Sequence, residues 1–227
     1  MEKLAQERVE EICRSEKEIE EKLLSKSTEL SICMSCAVGF GIAAIARVFV
    51  PLFFGEGYEK CVNLLVLFVP VLFVKSLSNV VDQQYLIPAK CDNQYTLAVT
   101  GGAIVNLICN GLLIPQLGSV GATLGTLMAE LSVLIVSAHC AKKEIRFFRM
   151  FSRYSYYLLL GLIMFIAVRF FDSYSHIERS FIRLILMIMI GGGVYSLLCL
   201  TVWLKVKEKS VFGSILISLS KKGAIRK

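Results

Sequence analysis

The side chains in this sequence that could do chemistry are few, and most of them sit inside long apolar runs. Lys75, Ser78, Asn79 and Asp82 fall within about 100° of one another at 100° per residue, which makes one polar stripe on an otherwise apolar helix. Two readings of the stripe stand side by side. It lines a cavity whose Lys75 receives an anionic substrate, or it neutralises itself, with Lys75 against Asp82, Asn79 assisting, and the lysine snorkelling toward water. Glu130 shares a helix face with Thr123, Thr126 and Ser137 and is the costliest single residue to place in lipid. It serves a polar cavity, couples an ion, or makes a structural hydrogen bond; Asp82 is the second ion-coupling candidate. Arg47, seven residues from the end of its own apolar run, either meets substrate or snorkels outward. Asn106 and Asn110, one turn apart, are expected to hydrogen-bond between helices.

No catalytic constellation accompanies these groups. His139 and His176 stand apart, and no Ser/His/Asp set, phosphate-binding glycine loop or metal-ligand cluster is visible. The expectation is therefore a protein that is not an enzyme and needs neither cofactor nor metal. Of eight cysteines, six fall in or at the ends of apolar runs, where free cysteine behaves as a small hydrophobe. Cys33-x-x-Cys36 lacks the second Cys/His pair that a tetrahedral zinc site requires.

The elements that position these residues are legible from composition. Hydrophobic residues make up 56% of the chain and the mean hydropathy is +0.66, above the apolar share of soluble domains. The excess is gathered into blocks, and a bilayer needs about 20 apolar helical residues for each crossing. Six such blocks are expected to cross: 30–54, closed by Phe54-Gly55-Glu56-Gly57; 61–81, with a possible extension to 87; 95–114, stopped by Pro115; 118–140; 154–170; and 181–204. The fold class that follows is an all-α integral membrane protein of six transmembrane helices. Ahead of them comes a charged amphipathic helix over residues 1–29, and behind them a basic tail over 205–227. Gly121, Gly125, Ala129 and Ser132 form a small-residue face suited to close helix packing.

Charge asymmetry orients the chain. With the N-terminus cytoplasmic, nineteen Lys and Arg fall on the inner side and only Lys60, Arg169, Arg179 and Arg183 on the outer side. That bias requires an even number of crossings and places both termini inside. The net charge of +7 is explained by topology rather than by nucleic acid, since the basic residues lie between apolar blocks.

An ordered set of short motifs carries a family resemblance. Val50-Pro51-Leu52-Phe53-Phe54-Gly55-Glu56-Gly57-Tyr58 ends the first block. Ser76-Leu77-Ser78-Asn79 and Leu86-Ile87-Pro88 follow, then Asn106-Leu107-Ile108-Cys109-Asn110, and then Leu113-Ile114-Pro115-Gln116-Leu117-Gly118-Ser119-Val120-Gly121-Ala122 ahead of Glu130. Over roughly residues 28–140 this resembles the C-terminal half of bacterial polysaccharide-biosynthesis membrane proteins. These are the O-antigen and capsule repeat-unit flippases of the multidrug/oligosaccharidyl-lipid/polysaccharide exporter superfamily. The resemblance implies a two-lobed, alternating-access transporter in the bacterial inner membrane. Its substrate would be an anionic undecaprenyl-pyrophosphate-linked oligosaccharide, held in a central cavity to which Lys75, Arg47, Asn79 and Glu130 would contribute. It also implies that an N-terminal lobe is missing from this chain, so that Met1 looks like the start of a fragment or split gene. Two competing readings are an ion-coupled drug or metabolite exporter of the same superfamily, carried by Glu130 and Asp82, and a non-transporting remnant.

Overall fold

A computed structural model describes residues 2–141, 152, 155–175 and 180–206. Side-chain environments are described for Ile19 and from Lys22 onward. His176, Arg179, most of the basic segment 142–153 and the tail from residue 207 fall outside the described residues.

Every element among the described residues is helical. In chain order they are α1 (Glu2–Phe54), α2 (Lys60–Leu67), α3 (Val69–Val81) continuing into a π-helical turn (Asp82–Leu86), α4 (Asp92–Leu117), α5 (Ser119–Ala141), α6 (Tyr156–Tyr174) and α7 (Ser180–Val206). Among the described residues, six helical stretches are long and apolar enough to cross a bilayer: Lys22–Phe54, Lys60–Leu86, Asp92–Leu117, Ser119–Ala141, Tyr156–Tyr174 and Ser180–Leu204. The all-α membrane architecture expected from the apolar blocks is the one observed.

The differences from expectation have local causes. The charged N-terminal segment is not a separate helix. It runs without interruption into the first crossing, because no Gly or Pro intervenes between residues 2 and 38 to break the ladder. Pro115 does not stop α4; it lies inside the helix, two residues before its end. A proline so near a C-terminus forfeits a single backbone bond, and the helix ends instead at Gly118, whose φ of +57° is open to glycine. Pro51 is likewise carried in the last turn of α1, ahead of Gly55 and Gly57 at φ +84° and +93°. Pro70 acts more strongly, being mid-crossing: the second crossing divides at Phe68 into α2 and α3, with Pro70 in the first turn of α3.

Three packed helices, α3, α4 and α5, form one side of the bundle; α1, α6 and α7 form the other, and α1 joins the sides by packing along α3. The α1–α3 contact is close and antiparallel: Ser76 Oγ donates to Ser31 O at 3.0 Å, and a methyl added at Gly39 would meet Val69 Cγ1 at 2.9 Å. The core around α1 gathers Ile32, Cys36, Ala44, Tyr157, Met164, Val168 and Met187. By contrast, α4 buries only Ala98 and Gly102 and turns Leu97, Ile104, Leu107, Ile108 and Leu112 outward. In a bilayer such a face meets lipid at no cost.

The small-residue face of α5 does what its composition suggests. Gly121 lies against the Leu113 carbonyl of α4, Gly125 against Asn110, and Ala129 and Val133 against Gly102. These pairs run antiparallel across the Gly118 turn, so the two helices form a tight hairpin.

Candidate functional site

The polar stripe of α3 and the carboxylate of α5 meet. Lys75 Nζ lies 3.1 Å from Glu130 Oε1, within two predominantly apolar crossings. The lysine side chain is 50% exposed and the glutamate 18%, so the pair sits at a helix seam with its cationic end open. Its geometry has a simple origin. If helices α3 and α5 run parallel, two turns along each brings Asp82 and Ser137 to the next rung, because both lie seven residues on, about 10.5 Å away. Asp82 and Ser137 do face each other there, both buried.

This corrects the internal reading of the stripe. Seven residues of helix put Lys75 and Asp82 two turns apart, beyond side-chain pairing distance, and the partner of Lys75 is Glu130. Ser78 is fully buried and donates to Lys75 O at 3.1 Å, while Asn79 is exposed beside it. The stripe therefore straddles the seam, with Ser78 and Asp82 inward and Lys75 and Asn79 outward.

Glu130 Oε2 and Asp82 Oδ1 on this seam, and Asn110 Oδ1 on the α4–α5 hairpin, are buried with no hydrogen-bond partner within 3.5 Å among the described residues, Asp82 lying opposite the Ser137 hydroxyl. Buried polar atoms are ordinarily paired, and unpaired ones mark a strained or functional place. The π-helical turn begins at Asp82, and such wide turns recur at functional sites.

The other candidates lie apart from this pair. Arg47 is exposed on α1 and has no hydrogen bond or ion pair among the described residues. Asn110 Nδ2 donates to Asn106 Oδ1 at 2.9 Å, so this bond lies within α4 rather than between helices, since the pair is one turn apart. Thr123 and Thr126 turn back to carbonyls of their own helix, Ser119 O at 3.0 Å and Ala122 O at 2.9 Å. His139 is exposed on the last turn of α5. Among the described residues no group of three His, Cys, Asp or Glu side chains is placed to hold a metal.

Besides an ion cluster of Arg169, Asp172 and Arg183 on α6 and α7, two clusters were not read from sequence. Glu29, fully buried, accepts from Tyr157 Oη at 2.9 Å, and Tyr157 Oη accepts from Trp203 Nε1 at 2.7 Å, tying α1 to α6 and α7. Its position at the junction of charged and apolar sequence was the one available signal. Tyr157→Phe removes the hydroxyl from both partners; the expected cost is about 1.5–3 kcal/mol, visible as a lowered unfolding midpoint in detergent, with no effect if the network is dispensable. Cys33 has its sulfur 4.0 Å from that of Cys199, not Cys36, and Tyr195 Oη donates to Cys33 O at 2.8 Å. These groups border a cavity of about 570 Å³ between α1, α6 and α7, whose lining contains no charged side chain. It offers shape and apolar contact rather than chemistry.

Among the described residues, an intramembrane cation and two carboxylates thus meet along the α3–α5 seam. No family model, curated protein or solved structure matches this chain.

Proposed function

We propose that this chain serves as one lobe of a transporter that moves an anionic lipid-linked oligosaccharide across the bacterial cytoplasmic membrane, with both termini on the cytoplasmic side. The observation that carries the reading is the Lys75–Glu130 pair at membrane depth, with its cation half open to the side of the bundle. Ionisable residues within crossings face partners or water-filled cavities, because lipid tolerates them poorly. The motif order from Val50 to Glu130 supports the same family of activities.

The chemistry is an exchange of partners. A pyrophosphate or acidic sugar entering beside α3 competes with Glu130 for Lys75, and attraction is strong where the dielectric is low. Exposed Asn79 offers a neutral donor next to the cation. Lys75 and Asn79 face outward from the six helices, so a second lobe on that side would enclose them in a cavity shared between lobes. Substrate would cross as the cavity opens alternately to each side.

The test is Lys75→Ala in the chromosomal gene, reading surface polysaccharide. We expect a drop of about tenfold per molecule of protein in the membrane, the loss of roughly one charged contact, both in Lys75→Ala and in Lys75→Ala/Glu130→Gln, which strands no carboxylate. Undiminished glycan removes Lys75 from the site. The ion-coupled exporter reading draws on the unpartnered buried oxygen of Asp82. An Asp82→Asn strain with altered drug tolerance and normal glycan would favour it.

A further inference from the structure

The hairpin of α6 and α7 is held by one aspartate shared between two arginines. Asp172 is 7% exposed. Its Oδ2 accepts from Arg169 Nη1 at 2.9 Å, and its Oδ1 accepts from Arg183 Nε at 2.8 Å and Nη2 at 2.6 Å. Arg183 Nη2 also donates to the Asp172 carbonyl at 2.8 Å. One arginine would neutralise the carboxylate. The second leaves the cluster at +1.

A guanidinium has five N–H donors in a planar fork. Arg169 Nε and Nη2 and Arg183 Nη1 have no partner among the described residues, and the two side chains remain 25% and 30% exposed. The depth is informative too. Arg169 lies five residues before the end of α6 and Arg183 three residues into α7, so both sit within roughly 8 Å of the helix ends. Around them Phe170, Tyr174 and Phe181 are exposed, with the Phe170 and Tyr174 rings 4.5 Å apart. Exposed aromatic rings beside helix ends are characteristic of the zone where headgroups meet hydrocarbon.

We propose that Arg169 and Arg183, oriented by Asp172, bind the phosphate of an anionic glycerophospholipid at this face of the membrane. Phosphate matches the planar fork of arginine, and Asp172 already holds both forks in place, so little freedom is lost on binding. The exposed rings favour a lipid over free phosphate, since they present apolar surface to glycerol and acyl chain. The site is independent of Lys75 and of the transport reading.

The test uses the full chain in bilayer nanodiscs of equal phosphatidylglycerol and phosphatidylcholine, with retained lipids counted by native mass spectrometry. Phosphatidylglycerol is expected to be enriched, with the one net charge of this cluster contributing about fivefold. Arg169→Gln, which leaves every Arg183–Asp172 contact in place, should lower the enrichment about fivefold relative to the unaltered chain. Millimolar inorganic phosphate should leave the enrichment intact. Equal retention of the two lipids, or enrichment left unchanged by Arg169→Gln, overturns the proposal, and displacement by inorganic phosphate overturns a lipid as its occupant.

Discussion

Replacing Lys75 with Met should destabilise the folded protein by about 2.5–3.5 kcal/mol, the order of cost for an uncompensated charge at membrane depth. The reason lies in which partner is left behind. Glu130 is only 18% exposed, its Oε2 has no partner among the described residues, and its remaining contact is the lysine 3.1 Å away. Glu130→Gln strands the opposite charge, but Lys75 is half exposed on a flexible stem and can turn toward water or headgroups. Its loss should be smaller, about 1 kcal/mol. The double variant Lys75→Met/Glu130→Gln leaves no charge to compensate and should recover most of the stability. Thermal unfolding in detergent for the four proteins measures the cycle. Additive losses in the double variant would mean that the two side chains act independently.

The second large effect is steric. An alanine at Gly121 would place its methyl 2.5 Å from the Leu113 carbonyl carbon and closer still to the oxygen. Both are backbone atoms of the α4–α5 hairpin, so no rotamer change relieves the contact and the helices must separate. Overpacking of this kind costs about 1–3 kcal/mol, and the rigid partner puts Gly121→Ala at the upper end. The unfolding midpoint should fall by about 5–10 °C for a chain of this size. Gly111→Ala on the neighbouring helix is the control: nothing lies within 4 Å of its added methyl. It should be neutral or raise stability by about 0.5–1 kcal/mol through chain entropy. Equal behaviour of the two variants would contradict the close approach at Gly121.

The contrast between these two sites shows what can be read from sequence. The Gly121 face was legible because close packing needs only small residues at helical spacing, a property of one segment. The six crossings were legible for the same reason: length and apolarity are local, and Gly55 and Gly118 punctuate them. Partnership is not local. Lys75 and Glu130 are visible separately, but nothing in either helix says which neighbour it packs against, and Asp82 on the same stripe looked the nearer partner. Only the shared seven-residue spacing, Lys75 to Asp82 and Glu130 to Ser137, hinted that two parallel helices could meet rung by rung. Cys33 was legible as a buried packing residue, but not its neighbour Cys199, which comes from the far end of the chain. Glu29 was hidden among the charges of the first segment, although its burial against Tyr157 and Trp203 sets it apart from them. Pro115 was overweighted as a breaker because the cost of a proline depends on how much helix follows it.

Everything about the seam depends on α3 and α5 lying across the bilayer. Fusions of a compartment-sensitive reporter after Tyr58, Gln116 and Ser175, compared with fusions after Lys90 and Lys227, test this most directly. The account predicts that the first three report one side of the membrane and the last two the other. A signal from Tyr58 or Gln116 on the same side as Lys90 would take Lys75 and Glu130 out of the membrane and contradict it.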